Sequence, residues 1–238
     1  MEIDAPRRTE VDMSDYATGN DSLDFRSIGP VSPAAWAYAE AWPDDGEQLQ
    51  EARDLAGEVG LTPVSHATAS LLTLFATLAG AGAVVEVGTG TGVSGAALLR
   101  GMTPDGVLTS IDLEAEHQRS ARDTFASLGY DHVRARLITG RALEVLPRLS
   151  DHAYDIVFAD SDKGEYPAIL AQAGRLLRVG GLVIFDQVLS DSGIADPLRH
   201  DTDMTALRHV ASALRDEDHW MPALLTVGRG LLIASMRK

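Results

Sequence analysis

The chain has 238 residues, of which 45% are hydrophobic and 23% charged, a composition typical of one large globular domain or two small ones. It contains no cysteine, which excludes disulfides, thiolate nucleophiles, zinc–thiolate sites and iron–sulfur clusters. Thirty-five acidic and twenty basic residues give a formal charge of −15, and a surface this negative repels phosphate backbones, so we expect no nucleic-acid partner.

The sequence shows neither a targeting signal nor a membrane span. Its N-terminal segment is acidic and lacks an apolar core of signal-peptide length. The uncharged stretch of residues 59–85 is interrupted by Pro63, His66 and glycines, which favours a buried helix followed by a buried strand. We therefore expect a cytoplasmic protein with no membrane partner.

The first 45 residues differ in character from the rest of the chain. Residues 1–60 hold 14 acids and 4 bases, and so carry about two thirds of the net charge. Up to about residue 45 the sequence is rich in Asp, Ser, Gly and Pro without sustained periodicity, which indicates a disordered or loosely docked tail. Residues 46–238 are predicted to form the domain.

From residue 48 onwards, helical and extended patterns follow one another. The predicted helices are residues 48–58 and 65–78, one through Leu99 after a glycine run, then 114–128, 142–149 and 166–177. The predicted strands are residues 83–87, 107–111, 133–138, 155–159 and 181–186. Strands that alternate with helices over such short connections predict a parallel sheet covered on both faces.

The last part of the chain departs from this alternation. A helix is predicted from about Thr202 to Leu214, and residues 223–236 hold two apolar runs separated by Gly228 and Gly230, the pattern of a hairpin. We therefore predict an α/β fold with a doubly wound, mainly parallel seven-stranded sheet that ends in an antiparallel hairpin. In the plain dinucleotide-binding fold the later strands stay parallel.

The loop after the first predicted strand, in VVEVGTGTGVSG, contains two overlapping glycine patterns. Gly90, Gly92 and Gly95 match the dinucleotide fingerprint Gly-X-Gly-X-X-Gly. Read instead from Gly88, the same loop matches the Glu-X-Gly-X-Gly-X-Gly of methyltransferases that use S-adenosylmethionine. Both patterns let the backbone turn sharply and approach a ligand closely. Glu86 favours the second, because a carboxylate there suits a cationic amino-acid ligand better than a pyrophosphate.

Asp112, at the end of the second predicted strand, is a candidate acceptor for ribose hydroxyl groups of either cofactor. Its alternative role is that of a helix N-cap. Glu86 likewise has a structural alternative, an acid that bonds to the backbone.

A second polar set follows the fourth and fifth predicted strands. Asp160 and Asp186 each come directly after a strand, and the carboxyl ends of neighbouring parallel strands meet at the ligand-binding edge of a sheet. With the amide of Gln187 they form an all-oxygen set suited to a hard cation such as Mg²⁺. Lys163, the only lysine before the last residue, is a candidate general base for a hydroxyl group. Taken singly, each acid could instead cap a loop or a turn.

The segments FADSDKGEY and LLRVGGLVIFDQVLSDSGIADP resemble the cation-dependent O-methyltransferases, the family of catechol and caffeoyl-CoA O-methyltransferases. The resemblance runs from about Gly60 to Lys238, includes the glycine loop, and is greatest to small O-methyltransferases of actinobacteria. It implies the Rossmann-like class I methyltransferase fold and methyl transfer from S-adenosylmethionine to a hydroxyl oxygen of a small molecule. It also implies a homodimer.

The resemblance further assigns roles to individual residues. The residues that would hold S-adenosylmethionine are Val64, Glu86, Gly88, Thr89, Gly90, Gly92, Ser94, Asp112, Leu113 and Asp162. Asp160, Asp186 and Gln187 would ligate the divalent cation, and Asp160 and Lys163 would be catalytic, with Lys163 as the base. The sequence departs from the family where Gln187 replaces the usual asparagine and Ser190 a common tryptophan, which changes the metal motif and the acceptor pocket.

Three alternatives stay open. A nicotinamide oxidoreductase would use the dinucleotide fingerprint but leaves Asp160, Lys163 and Asp186 without a role. A metal-independent methyltransferase of the same fold would accommodate Gln187, and a non-catalytic S-adenosylmethionine-binding protein would keep the fold without turnover. Two histidines are not predicted to be functional. His66 is expected to be a packed or capping residue, and His117 an exposed one.

Overall fold

Helices and strands alternate in the structure, a computed structural model that describes residues 31–237. The helices are α1 (Pro33–Ala41), α2 (Glu47–Glu58), α3 (His66–Leu78), α4 (Val93–Gly101), α5 (Ala115–Ser127), α6 (Ala142–Val145), α7 (Tyr166–Leu176) and α8 (Thr202–Asp216). The strands are β1 (Ala83–Val87), β2 (Val107–Asp112), β3 (Ala135–Thr139), β4 (Tyr154–Ala159), β5 (Leu177–Phe185), β6 (Trp220–Leu225) and β7 (Leu231–Met236). Short 3₁₀ helices span Leu146–Arg148, Lys163–Glu165 and Ser190–Ala195.

The seven strands form one sheet in the order β3-β2-β1-β4-β5-β7-β6. The first five strands pair in parallel, whereas β7 pairs antiparallel with both β5 and β6. This confirms the predicted architecture, including the closing hairpin.

The central strands are buried on both faces, so the sheet separates two apolar cores. In β1, Val85 and Val87 point into one core and Val84 into the other, as the two-residue period of a strand requires. The first core packs against α7, α8 and Trp220, and the second against α2 to α5, with Phe125 fully buried. Burial on both faces explains why these strands appear in the sequence as continuous apolar runs.

The starts of the third and fifth strands differ from the prediction by two residues or more. The third strand starts at Ala135, two residues late, because the Asp131 carboxylate accepts hydrogen bonds from the N–H groups of Val133 and Arg134 and holds both in a turn. The fifth strand starts at Leu177, four residues early. Leu177 pairs with Tyr154, and a register shift then separates this pairing from the rest of the ladder.

The predicted tail lies largely outside the described residues, since the structure describes nothing before residue 31. Within its range, α1 is helical where the sequence showed no sustained periodicity, and none of its residues is buried. Of the described residues, 38–237 form one unit and 31–37 another. Across residues 31–237, no helix is both long and apolar enough to span a bilayer.

Candidate active site

A cavity of about 550 Å³ opens at the carboxyl ends of β1, β2 and β4. The chain reverses its order across the sheet between β1 and β4, and such switch points are where open α/β sheets bind ligands. The predicted site residues that line the cavity are Val64, Gly88, Thr89, Gly90, Ser94, Asp112, Leu113, Asp160, Asp162 and Gln187. The cavity lining does not include Glu86, Gly92, Lys163 and Asp186.

The glycine loop turns sharply between β1 and α4. Gly88 has φ 93°, and a Cβ atom there would lie 2.0 Å from the main-chain oxygen of Asp160. Its N–H donates to the carbonyl of Ile111 at 2.9 Å. The loop is therefore clamped between the ends of β2 and β4, and only glycine fits at its first position.

Asp112 holds this loop from the end of β2. Its Oδ2 accepts the N–H groups of Thr89 at 2.9 Å and Gly90 at 3.1 Å. Its Oδ1 accepts the N–H of Glu114 at 2.9 Å and lies 3.1 Å from Nδ1 of His117. The alternative role as a helix N-cap is not met, because the N-cap residue of α5 is Glu114 and Asp112 accepts the N–H of that residue and of the glycine loop.

Glu86 lies beneath the loop and is completely buried. Its carboxylate accepts hydrogen bonds from the hydroxyls of Ser94 at 2.6 Å and Ser110 at 2.5 Å. Burial raises the pKa of Glu86 to about 7, against the lowering effect of these two hydrogen bonds. The side chain thus supports the loop from below and does not face the cavity.

Asp160 and Asp186 come together at the ends of β4 and β5, as the sequence predicted. Burial raises the pKa of Asp160 to about 6, while the Gln187 hydrogen bond and the charges of Lys163 and Arg229 lower it. Burial, and then the charge of Asp160, raise the pKa of Asp186 to about 7. Within residues 31–237, Oδ1 of Asp186 is buried without a hydrogen-bond partner. The pair therefore carries a buried negative charge that the surrounding protein compensates only in part.

Gln187 follows directly and takes an unusual backbone conformation. It has φ 61°, and its Nε2 donates to Oδ1 of Asp160 at 2.6 Å. In the described part of the chain, no three His, Asp or Glu side chains gather in a cluster that could hold a metal ion. Two carboxylates and one amide nevertheless fit a hard divalent cation, because one oxygen of Asp186 has no partner there. The amide oxygen of Gln187 would have to be the third protein ligand.

Lys163 and Asp162 lie in the loop after β4. The side chain of Asp162 accepts the N–H of Gly164 at 2.9 Å and so begins the short 3₁₀ helix that contains Lys163. Lys163 is half-buried, and its charge acts on Asp160. The predicted base therefore lies beside the predicted cation site.

Comparison with known proteins identifies the family. The family model described as O-methyltransferase matches residues 40–237. A Mycobacterium tuberculosis protein named as an O-methyltransferase is 41% identical over 220 residues, which cover 92% of this chain and 98% of the relative. The chain belongs to the O-methyltransferase family. This confirms the predicted reaction class, methyl transfer from S-adenosylmethionine to a hydroxyl oxygen.

Solved structures related to this O-methyltransferase have the same fold. A protein of Corynebacterium glutamicum superposes with a TM-score of 0.79 at 31% identity, covering 85% of this chain and 95% of that one. The O-methyltransferase TomG of Streptomyces achromogenes, solved in complex with S-adenosylmethionine, also has a TM-score of 0.79, at 27% identity and with coverage of 91% and 100%.

Three residues of this O-methyltransferase site were not found from the sequence. His117 lines the cavity and contacts Asp112, although it was expected to be exposed. Arg229, in the turn of the closing hairpin, also lines the cavity. Glu40 accepts the N–H of Gly228 in the same turn at 2.7 Å, and its charge acts on Asp186. Of these three residues, only His117 left a signal in the sequence, because it lies five residues after Asp112 in the first turn of a predicted helix.

The other histidine, His66, was predicted to be a packed or capping residue, but Ser65 caps α3 and His66 pairs with a carboxylate. His66 is the first residue of α3, and its Nδ1 lies 2.9 Å from Oδ2 of Asp45. Arg53 binds the same carboxylate oxygen at 2.6 Å and also donates to the carbonyl of Val64. This cluster fixes the cavity wall at Val64 from outside.

Proposed function

We propose that this O-methyltransferase binds S-adenosylmethionine along the glycine loop and methylates one of two neighbouring oxygens of a small molecule, with a divalent cation held by Asp160, Asp186 and Gln187. The observation that carries the proposal is the buried carboxylate pair, which sits at the strand ends beside the cofactor cavity with one oxygen unpartnered in the described chain. Two adjacent buried acids are costly unless a cation joins them.

Several contacts support the proposed cofactor site. S-adenosylmethionine supplies the methyl group as a sulfonium, so the protein has mainly to position it. The residues proposed to hold it are Val64, Glu86, Gly88, Thr89, Gly90, Gly92, Ser94, Asp112, Leu113 and Asp162. Glu86 and Gly92 would act indirectly, Glu86 through Ser94, because neither lines the cavity.

The proposed cation would hold two substrate oxygens and lower the pKa of the hydroxyl that accepts the methyl group. Asp160 and Asp186 provide the negative charge that retains it; Asp186 is buried, and Asp160 lines the cavity. Lys163, half-buried beside Asp160, is proposed to take the hydroxyl proton onto Nζ as the neutral amine, a form that the positive charge of a cation bound nearby would favour.

The proposal is tested first by binding and then by turnover. Isothermal titration of S-adenosylmethionine into the purified protein should show one site per chain, and a protein that does not bind it contradicts the proposal. Methyl transfer should then be detectable with a vicinal diol such as catechol, and weaker with phenol, which has a single oxygen.

Lys163→Met should lower kcat by about a hundredfold or more and leave the affinity for S-adenosylhomocysteine unchanged. Equal loss in Lys163→Met and Lys163→Arg would favour a base, since Arg retains only the charge.

One observation favours a metal-independent variant of the same reaction. The Gln187 amide donates a hydrogen bond to Asp160, and Arg229 adds a positive charge close to both acids. Both interactions offset the negative charge of the two acids, as a bound cation would. Removal of metal with EDTA followed by Mg²⁺ addition separates the two mechanisms: activity that falls and is restored supports the cation, and unchanged activity supports the alternative.

The resemblance to the family also supports a homodimer, and the cytoplasmic location predicted from the sequence stays a proposal. Light scattering coupled to gel filtration should give twice the mass of one 25.4 kDa chain. A mass equal to one chain at micromolar concentration would contradict the dimer.

A further inference from the structure

Arg229 brings a positive charge to the end of the cavity around Asp160. It lies in the turn between β6 and β7 and lines the cavity. Because β7 pairs antiparallel with β5, this turn meets the carboxyl end of β5, where Asp186 and Gln187 follow. In the strand order β7 is three places from β1, which is about 14 Å at the usual strand spacing. Arg229 therefore belongs to the end of the proposed cation site and not to the glycine loop.

The main chain around Arg229 is held firmly in place. Its carbonyl accepts the N–H of Leu189 at 2.8 Å, and the N–H of Gly228 donates to Glu40 at 2.7 Å. Gly230 has φ 92°, and a Cβ atom there would clash with the side chain of Leu189. The turn is thus packed against the loop after β5, which fixes the point from which the Arg229 side chain extends.

The guanidinium of Arg229, in contrast to its main chain, does not support the fold. The side chain is exposed, and within residues 31–237 it forms no hydrogen bond and no ion pair. The other arginine that lines the cavity, Arg141, lies just before α6 and after β3, at the far end of the sheet. Arg229 is therefore the cavity-lining arginine that a methyl acceptor at the proposed cation site can meet.

The charges at this end indicate what Arg229 can bind. Its charge is close enough to act on both Asp160 and Asp186. A divalent cation held by these acids would neutralise them, and the Arg229 charge would then be available to a ligand in the cavity. An arginine keeps its charge at every physiological pH, and its planar fork matches a carboxylate with two parallel hydrogen bonds. One guanidinium also balances the single charge of a carboxylate, whereas a phosphate monoester carries up to two.

From this placement we propose that Arg229 is a specificity-determining residue that binds a carboxylate of the methyl acceptor. The substrate class is then a vicinal diol that also carries a carboxylate. This inference rests on the proposed function, which places two oxygens of the methyl acceptor at the cation site. S-adenosylmethionine carries a carboxylate too, so the experiment has to separate the cofactor from the methyl acceptor.

Matched acids and amides test the inference. We would measure initial rates with 3,4-dihydroxybenzoate and its neutral isostere 3,4-dihydroxybenzamide, and with the longer pair 3-(3,4-dihydroxyphenyl)propionate and its amide. In at least one pair the wild type should show a KM about tenfold lower for the acid, the effect of one charge-assisted contact. The kcat values should be similar, since the carboxylate takes no part in methyl transfer. Added salt should raise the KM of the acid and leave that of the amide unchanged.

Substitutions of Arg229 should remove this preference. Arg229→Gln should raise the KM of the preferred acid about tenfold and bring it to that of the amide. Arg229→Lys should keep part of the preference, because it retains the charge and loses the fork. Both variants should bind S-adenosylhomocysteine as the wild type does. Arg122→Gln, at an exposed arginine on α5 outside the cavity lining, should match the wild type in every measurement.

The ratio of acid to amide separates recognition from a merely structural role. Loss of the Arg229 charge could also weaken the proposed cation site, but this would impair the acid and the amide alike. Only a direct contact with the carboxylate changes the ratio of their KM values.

Three results would overturn the inference. The first is a wild type with equal KM values for acid and amide in both pairs, and the second is Arg229→Gln with the wild-type preference. The third is Arg229→Gln that binds S-adenosylhomocysteine about tenfold more weakly and keeps the ratio, which assigns the guanidinium to the cofactor. Methylation of the amides without any preference for the acids contradicts this inference alone, whereas methylation of none of these diols contradicts the proposed function as well.

Discussion

The two ends of the cavity satisfy their polar groups very differently. At the glycine-loop end, around residues 86–94 and Asp112, hydroxyls, amides and carboxylates form a closed network in which Gln118 donates to Thr89, which pairs with Ser110. Within the described chain, Oε1 of Gln118 is the one atom of this network without a partner. At the acceptor end, around Asp160, Asp186 and Gln187, several buried atoms are left over.

The unpartnered atoms at the acceptor end come from different elements. In residues 31–237 they are Oδ1 of Asp186, Oε2 of Glu40 and the hydroxyl oxygens of Ser161 and Ser190. A buried polar atom without a partner costs about 1 to 3 kcal/mol. The contrast indicates that hydrogen bonds within the described protein complete the glycine-loop end more fully than the acceptor end.

The largest expected effect comes from Asp186→Asn. Activity should fall by at least about a hundredfold, because the proposed cation site loses a charge. In EDTA at pH 8 the variant should nevertheless be more stable than the wild type by about 1 to 3 kcal/mol, since it removes an uncompensated buried charge. Urea denaturation and initial rates measure the two effects.

Asp155→Asn is the matched control for stability. Asp155 is also a buried acid, but it accepts the N–H groups of Gly82 and Ala83 and pairs with Arg178 at 3.0 Å. The same substitution should therefore destabilise the protein here. If both variants shifted stability in the same direction, the contrast between satisfied and unsatisfied acids would be wrong.

Gly88→Ala should break the glycine-loop end. The added Cβ would lie 2.0 Å from the main-chain oxygen of Asp160, and we expect a loss of at least about 3 kcal/mol in unfolding free energy. Gly180→Ala is the control: φ there is 84°, with open space around the Cβ position, so backbone strain alone should cost about 1 to 2 kcal/mol. Equal losses would show that the close approach of the loop to β4 is not what requires glycine.

Glu86→Gln should reduce the pH dependence of stability. The pKa of Glu86 is about 7 in the folded protein, against an ordinary value of 4.5 for a solvated glutamate, so the folded state binds the proton more tightly than the unfolded chain does. Stability from this group is therefore full below pH 4.5 and is lost as the pH rises to 7, by up to about 3 kcal/mol. Denaturation curves from pH 5 to 8 should be flatter in the variant, though not flat, because Asp160 and Asp186 act in the same direction. An unchanged slope would mean that Glu86 is charged throughout.

Gln187→Asn should have the smallest effect. Asn tolerates the left-handed conformation better than Gln, so at φ 61° the variant should be more stable by about 0.5 kcal/mol. If a cation binds here, its half-saturating concentration should also change, which Mg²⁺ titration of the activity would show. A variant that loses its fold would contradict both expectations.

The fold could be predicted from the sequence because its signals are local and repeated. Alternating apolar runs, the glycine loop after β1 and the paired glycines near residue 229 are each visible within a few residues. The boundaries of β3 and β5 were missed because they depend on a carboxylate–backbone turn at Asp131 and on a shifted pairing between Leu177 and Tyr154. The Leu177–Tyr154 pairing joins segments distant in the chain, which one sequence does not reveal.

The candidate site, too, could be predicted from the sequence only in part. Acids at strand ends were predicted because a parallel sheet brings its carboxyl ends together. The partners of those acids were not predicted, because they come from distant parts of the chain. Ser110 faces Glu86 through the register of β1 and β2, and the charge of Glu40 acts on Asp186 from a distant helix. The hydrogen bonds that Thr89 and His117 make to Asp112 were not predicted either.

The position of β7 in the sheet has a consequence for biosynthesis. This strand follows β6 in the chain yet lies between β5 and β6, and the turn before it binds the loop of Val188 and Leu189 through the carbonyls of Gly230 and Arg229. As the chain leaves the ribosome, β1 to β5 can pair in order of synthesis, but the hydrogen bonds of Val188 and Leu189 to the hairpin turn can form only once residues 229 and 230 have emerged. The glycine-loop end of the cavity is thus expected to form early in translation, and the end around Asp186 and Gln187 only at its close.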